Sequence, residues 1–279
     1  MADAKATPKL DLLLVGGGRM GSALLHGWLD QGIEAAGISV VEPEPPTGIA
    51  DLVHDGVTVV ASPEELAADL TPAVTVFAVK PQIIGSILEH YAQFVAAKTV
   101  YLSIAAGITL ARLGQGLGRR AAIVRAMPNT PAAVGSGITV LAANKKVGRA
   151  GRDLSQNLMA AVGETAWVED EALMDAVTAV SGSGPAYVFL LVEAMTQAGI
   201  EAGLPDDLAG QLARATVIGS GDLLRQARES AAELRQNVTS PAGTTAAALE
   251  ILMAGDGLGA LMTRAIARAA ERSRELAAS

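Results

Sequence analysis

The chain has no cysteine among its 279 residues, so no disulfide, thiolate nucleophile or cysteine-bound metal is open to it. Aromatic residues make up only 3%, and the three histidines, His26, His54 and His90, are too far apart in sequence to suggest a metal pair. Acidic residues outnumber basic ones 29 to 21, a net charge of −8. An acidic, aromatic-poor chain with no basic stripe is a poor partner for nucleic acid. No uninterrupted apolar run reaches the roughly 20 residues that span a bilayer. The nearest, around Pro185 to Ile200, is broken by Glu193 and Gln197. Met1 to Lys9 is short, polar and mixed in charge, without the apolar core of a signal peptide, and reads as a frayed tail on a cytoplasmic protein. Metal, membrane and nucleic acid are therefore not expected as partners.

Half of the residues are hydrophobic, enough for a sizeable core in one large domain or two modest ones. Leu10 to Val15, Gly37 to Glu42, Val57 to Val60, Ala73 to Val79, Thr99 to Ile104, Ala121 to Ala126 and Ile138 to Ala142 have the length and texture of strands. Between them, Met20 to Gln31 carries apolar residues at helical spacing and Pro63 to Leu70 reads as a short helix. Buried strands alternating with helices predict a largely parallel, doubly wound sheet. The texture changes near Gly163 to Asp170, and no strand is expected beyond it. Glu171 to Val180, Pro185 to Ala202, Asp206 to Ala227, Ser230 to Gln236, Thr244 to Ala254 and Leu258 to Leu276 all read as helices, with Gly203-Leu204-Pro205 as a helix boundary. The expected division is residues 1–165 for a dinucleotide-binding domain and 166–279 for an all-helical domain. Its alanine-rich helices are apolar around most of their circumference, which calls for burial, here by a second subunit.

The strongest local signal is Gly16-Gly17-Gly18-Arg19-Met20-Gly21, which follows a strand and opens a helix. Gly16, Gly18 and Gly21 hold the three fingerprint positions: a tight turn, close backbone approach to a pyrophosphate, and close helix–strand packing. Arg19 and Met20 open the helix whose N–H groups would face the phosphates. The alternative is an ordinary glycine-rich turn. Glu42 stands 21 residues after Gly21, where the fingerprint expects an acid on the ribose 2′-hydroxyl. Val41 to Pro46 offers no basic residue to a 2′-phosphate, so Glu42 tilts the choice toward NADH over NADPH, unless it merely faces solvent.

Five further stretches occur in order along nearly the whole chain: Ala78-Val79-Lys80-Pro81-Gln82, Ser103-Ile104-Ala105-Ala106-Gly107, Arg125-Ala126-Met127-Pro128-Asn129-Thr130-Pro131, Ser181-Gly182-Ser183-Gly184-Pro185-Ala186-Tyr187 and Asn237-Val238-Thr239-Ser240-Pro241-Ala242-Gly243-Thr244-Thr245. With the glycine loop, they resemble the pyrroline-5-carboxylate reductase family. The Met-Pro-Asn-Thr-Pro and Ser-Gly-Ser-Gly-Pro-Ala-Tyr stretches are the specific ones. Read as residues, Ala78, Val79, Lys80 and Pro81 lie past a strand end, where doubly wound sheets bind ligands. Ala105, Ala106 and Gly107 follow the next strand and let backbone approach a nicotinamide, while Met127 to Asn129 would wall the pocket. Lys80 is a tempting general base, but the resemblance assigns its loop to cofactor contact, largely through backbone. Arg125 reads as an ion-pair partner rather than a ligand.

The segment Val238 to Thr245 ends at a hydroxyl-rich helix N-terminus whose free N–H groups suit a carboxylate. Ser240, Gly243, Thr244 and Thr245 are the candidate substrate contacts, and the alternative is a Ser/Thr helix cap. The resemblance places Thr245 beside an imine nitrogen, as the catalytic residue, and Asn237 near the nicotinamide. Two departures stand out. Ala242 replaces a usual glycine and would be strained if the backbone needs a positive φ. Ser62-Pro63-Glu64 stands where an asparagine is common, so no role is carried over there.

The resemblance implies a Rossmann-type domain followed by an all-α dimerisation domain, and reduction of 1-pyrroline-5-carboxylate to L-proline by NADPH or NADH, the last step of proline biosynthesis. Such a reaction asks the protein to orient cofactor and substrate, anchor the carboxylate and hydrogen-bond the nitrogen. It also implies a homodimer, with dimers able to assemble further. A β-hydroxyacid dehydrogenase would need a lysine on the helix after the second glycine-rich motif, and Pro185 to Ala202 has none. A non-catalytic nicotinamide sensor is the rival of another class, and turnover separates the two.

Overall fold

The computed structural model describes residues 10–94 and 98–278, so the segment read as a tail lies outside the described residues. In chain order these form β1 (Leu12–Val15), α1 (Arg19–Asp30), β2 (Ile38–Val41), α2 (Thr47–Ala50), β3 (Thr58–Val60), β4 (Val74–Phe77), α3 (Pro81–Tyr91), β5 (Val100–Ser103), α4 (Leu110–Leu117), β6 (Ala122–Met127), β7 (Gly137–Ala143), α5 (Arg149–Ala160) and β8 (Gly163–Trp167). The helices α6 (Met174–Val177), α7 (Gly184–Glu201), α8 (Asp206–Gln226), α9 (Ala231–Asn237), α10 (Thr244–Leu252) and α11 (Leu258–Ala278) follow. The strands make one sheet in the order β3-β2-β1-β4-β5-β6-β7-β8. Neighbours from β3 to β6 run parallel, β7 is antiparallel to β6, and β8 is parallel to β7.

The alternation of side chains along each strand explains why the runs are apolar throughout. Leu12 and Leu14 enter one core with Leu24, Leu25 and Trp28 of α1. Leu13 and Val15 enter the other with Ile84 and Leu88 of α3. Trp28 is fully buried and its indole N–H donates to the Leu158 carbonyl at 2.9 Å, tying α1 to α5.

Two expectations are corrected. Of the helix expected over Pro63 to Leu70, only a 3-10 turn at Pro63–Glu65 forms, and Leu66 leaves it with extended backbone, ψ 152°. So short a segment, with one buried apolar side chain, does not offset helix nucleation. The strand β8 lies where the sheet was expected to have ended. Gly163-Glu164-Thr165-Ala166-Trp167 has no fully buried residue and no apolar alternation. It forms because β7 presents a free edge, and residues of α5 cover it. Gln156 accepts from the Trp167 indole at 2.9 Å, and the Arg152 guanidinium lies 4.9 Å from the ring centre.

The chain divides into two compact units, one running up to Gly182 and including the residues from Ala270 on, the other Ser183–Ala269. The boundary drawn from sequence, between residues 165 and 166, falls inside β8. In the second unit small residues bring α7 and α8 together, a Cβ on Gly199 reaching 3.3 Å from Ala209 Cβ. Gly203, at φ +100°, ends α7, and Pro205 precedes α8. No residue of α7 is buried within the chain: Phe189 is 60% and Leu190 62% exposed, and on α10 Ile251 is 76% exposed. The helical stretch Glu171–Glu201 is long and apolar enough to cross a membrane by length and composition.

Candidate active site

The glycine loop sits at the carboxyl end of β1, at the point where the strand order reverses between β1 and β4. Gly16 has φ +102°, and a Cβ there would lie 2.8 Å from the Ala78 carbonyl oxygen. A Cβ on Gly21 would run into the Gly16 carbonyl oxygen. On Gly18 it would meet nothing within 4 Å. Two of the three glycines are thus required by the loop itself, and Gly18 leaves open space before the helix. Gly18 is the N-cap of α1 and has no side chain to cap it. Ser22 N–H is the first to bond within the helix, to Gly18 O at 2.8 Å, which leaves the N–H groups of Arg19, Met20 and Gly21 outward. This cradle fits a pyrophosphate.

Glu42 follows β2 and turns back onto the loop. Its Oε2 accepts the Gly17 N–H at 2.6 Å and its Oε1 accepts the Glu44 N–H at 3.3 Å. Gly17 permits this approach, since a Cβ would sit 3.1 Å from the Glu42 Cγ and 2.8 Å from Ile49. The carboxylate is half-buried against the loop rather than loose in solvent. Ala78 and Val79 abut Gly16, Lys80 is the exposed N-cap of α3, and Pro81 is its first residue. Ala105 is buried and Ala106 exposed beyond β5, whose Ser103 hydroxyl accepts the Ala105 N–H at 3.3 Å. The loop, Glu42 and Ala78–Val79 therefore come together at strand ends β1, β2 and β4, with Ala105–Ala106 after neighbouring β5.

Asn237, Ser240, Gly243, Thr244 and Thr245 belong to the second unit. Asn237 ends α9, exposed. Gly243 is the N-cap of α10, so no side chain caps that helix. Ala247 N–H is the first bonded within it, to Gly243 O at 3.2 Å. The N–H groups of Thr244, Thr245 and Ala246 remain open, and among the described residues no hydrogen bond occupies the hydroxyls of Ser240, Thr244 or Thr245. The Ser/Thr cap reading fails on this geometry.

Sequence reasoning missed three partners. Asn129, expected to wall the pocket, uses its Oδ1 to accept the Ile138 N–H at 2.9 Å and so anchors the start of β7. Arg125 is the expected ion-pair partner, bonding Glu171 at 3.0 Å, but Glu171 was read only as a helix start. Gly17, between two fingerprint positions, turns out to be the donor to Glu42.

Residues 171–276 match the family model described as pyrroline-5-carboxylate reductase dimerisation, and residues 12–107 one described as NADP oxidoreductase, coenzyme F420-dependent. The pyrroline-5-carboxylate reductase of Pseudomonas aeruginosa is 40% identical over 98% of both chains. The chain belongs to the pyrroline-5-carboxylate reductase family. A solved reductase from Coxiella burnetii superposes with a TM-score of 0.88 at 33% identity, over 96% of this chain and 98% of that one. The Plasmodium falciparum enzyme, solved with NADP bound, gives 0.80 at 30% over the same shares.

Within this reductase family chain, Ala242 is the one non-glycine described with positive φ, at 57°. Left-handed backbone costs an alanine about 1 kcal/mol relative to glycine. Ala242→Gly is therefore expected to raise stability by about 0.5–1 kcal/mol, less the extra freedom glycine has when unfolded. Denaturant unfolding checks it, and a loss of stability would mean that the left-handed turn is not retained in solution.

Proposed function

We propose that this chain reduces 1-pyrroline-5-carboxylate to L-proline, closing proline biosynthesis, in the cytoplasm where a diffusible nicotinamide cofactor is at hand. The observation that carries this reading is the uncapped start of α10, with its open N–H groups and unoccupied hydroxyls. Bound NADH or NADPH supplies the hydride. The N–H groups of Thr244 to Ala246, with the Ser240 and Thr244 hydroxyls, hold the substrate carboxylate at the positive end of α10. Gly243 keeps that approach free of a side chain. The Thr245 hydroxyl hydrogen-bonds the ring nitrogen, directly or through water. The test is loss of nicotinamide absorbance with pyrroline-5-carboxylate, the two cofactors run in parallel. Turnover is expected; a protein that binds cofactor but turns nothing over would instead be a nicotinamide sensor.

The two cofactors are favoured by different observations. A relative carries NADP, and the model matching residues 12–107 is described as an NADP oxidoreductase. Here the Glu42 carboxylate lies against the glycine loop at the end of β2, where the fingerprint expects an acid on the ribose, and we propose NADH as the preferred cofactor. At short range two like charges repel by a few kcal/mol at partly screened surfaces. Glu42→Ala is expected to raise the NADPH-to-NADH ratio of kcat/KM by about tenfold or more. An unchanged ratio would remove Glu42 from cofactor choice.

We also propose a homodimer, with dimers assembling further. Its support is the apolar surface of α7 and α10, where each buried leucine or phenylalanine side chain would contribute about 1.5–3 kcal/mol. The same cover accounts for the bilayer-like composition of Glu171–Glu201 without a membrane.

A further inference from the structure

The turn from Ile104 to Thr109 connects β5 to α4 and carries Ala105 to Gly107, the nicotinamide end of the proposed site. Its exit is held by a residue outside that site. Leu110 is the first residue of α4, so its N–H has no acceptor within the helix. Glu171 Oε1, from the far side of β8 in sequence, accepts that N–H at 2.8 Å. The same oxygen accepts from Arg125 Nη1 at 3.0 Å. Arg125 is only 4% exposed, within β6, so its charge depends on Glu171 for compensation. The carboxylate also lies at the N-terminal, positive end of α4. Thr109 caps α4 through a bond from the Arg112 N–H at 3.2 Å. On the other side of the turn, Gly107 has φ +75°, and a Cβ there would stand 3.7 Å from Leu276 Cβ in the last turns of α11.

We propose that Glu171 is a positioning residue for the nicotinamide end of the site. Held by buried Arg125, it fixes the N-terminus of α4, and through it the Ala105–Gly107 turn against which the nicotinamide lies. This rests on reading that turn as the nicotinamide contact. A small displacement of the turn changes how the reacting ring is held and leaves the adenosine end, gripped by β1, β2 and the glycine loop, as it was.

The test compares two ligands on one protein: the reduced cofactor, and its fragment without nicotinamide (ADP-ribose for NADH, the 2′-phosphorylated form for NADPH). Glu171→Gln keeps an acceptor but removes the charge. Because it leaves Arg125 uncompensated, the double variant R125M/E171M serves beside it, removing both charges together. Both titrations are run on each variant, with melting temperature as a check on folding. Fragment affinity is expected to stay within about twofold while affinity for the reduced cofactor falls by about tenfold. An unchanged ratio of the two affinities, in either variant that folds, would overturn the proposal and leave the pair a purely structural one. If the unaltered protein binds the reduced cofactor no better than the fragment, the turn is not the nicotinamide contact, and it is the underlying reading that fails.

Discussion

Gly21→Ala is expected to weaken cofactor binding severely and to destabilise the first unit. The added methyl would collide with the carbonyl oxygen of Gly16, and neither group can move aside. Gly16 N–H is bonded to Val41 O at 2.9 Å, and the space beside its α-carbon is closed by the Ala78 carbonyl, whose oxygen lies 2.8 Å from where a Cβ would stand. The overlap is backbone on backbone, so its relief has to shift α1 away from the sheet. Overpacking of this kind costs about 3 kcal/mol, and a displaced helix N-terminus weakens phosphate binding by about a hundredfold. Gly18→Ala separates the two effects. Its methyl meets nothing within 4 Å, at an ordinary φ of −64°, so the melting temperature should hold. Only the space kept for the pyrophosphate is filled, and cofactor affinity should fall. A Gly18→Ala protein that binds cofactor normally would show that the loop is not where the phosphates sit.

Thr245→Ala is expected to lower turnover by about a hundredfold, the usual consequence of removing one hydrogen-bond donor from a developing charge. Cofactor affinity should be little altered, because Thr245 lies on α10 and the cofactor loop on the first unit. The side chain caps no helix and has no hydrogen-bond partner among the described residues, so truncating it removes no structural bond. Thr245→Ser keeps the hydroxyl and should retain most of the activity. Turnover unchanged in Thr245→Ala would take the residue out of the mechanism and leave substrate binding to the helix end alone.

Much of the first unit was legible because its signals are local. An apolar run of four to six residues bounded by glycine or proline can be only a few things, and its alternation with helical spacing points to a parallel sheet. The glycine loop was legible for the same reason: three glycines within six residues, two of them required by the packing of the loop, between a strand and a helix. β8 was not legible, because an edge strand with no fully buried residue carries little pattern of its own; β7 supplies its reason to exist. The helix expected at Pro63 failed in the opposite way, since a helical texture too short to nucleate needs packing that the fold does not provide. The strain at Ala242 was conditional on a φ that no sequence states, and the structure supplies it at 57°.

The candidate site divides along the same line. By itself the sequence determined which residue types stand at the ends of which strands and at the start of which helix: Gly16 to Gly21, Glu42, Ala78 to Pro81, Ala105 to Gly107, and Thr244 with Thr245. Only the tertiary structure decided what those residues touch. Glu42 reaches a backbone N–H 25 residues earlier because β1 and β2 are adjacent and parallel in a particular register. Glu171 meets both Leu110, 61 residues away, and Arg125, 46 away, because the chain leaves the sheet at β8 and returns across β7, where Met174 packs against Val140 and Ala142. Local chemistry specifies turns and caps within a few residues. Contacts across such separations depend on strand order and register, which are set by the packing of the whole core.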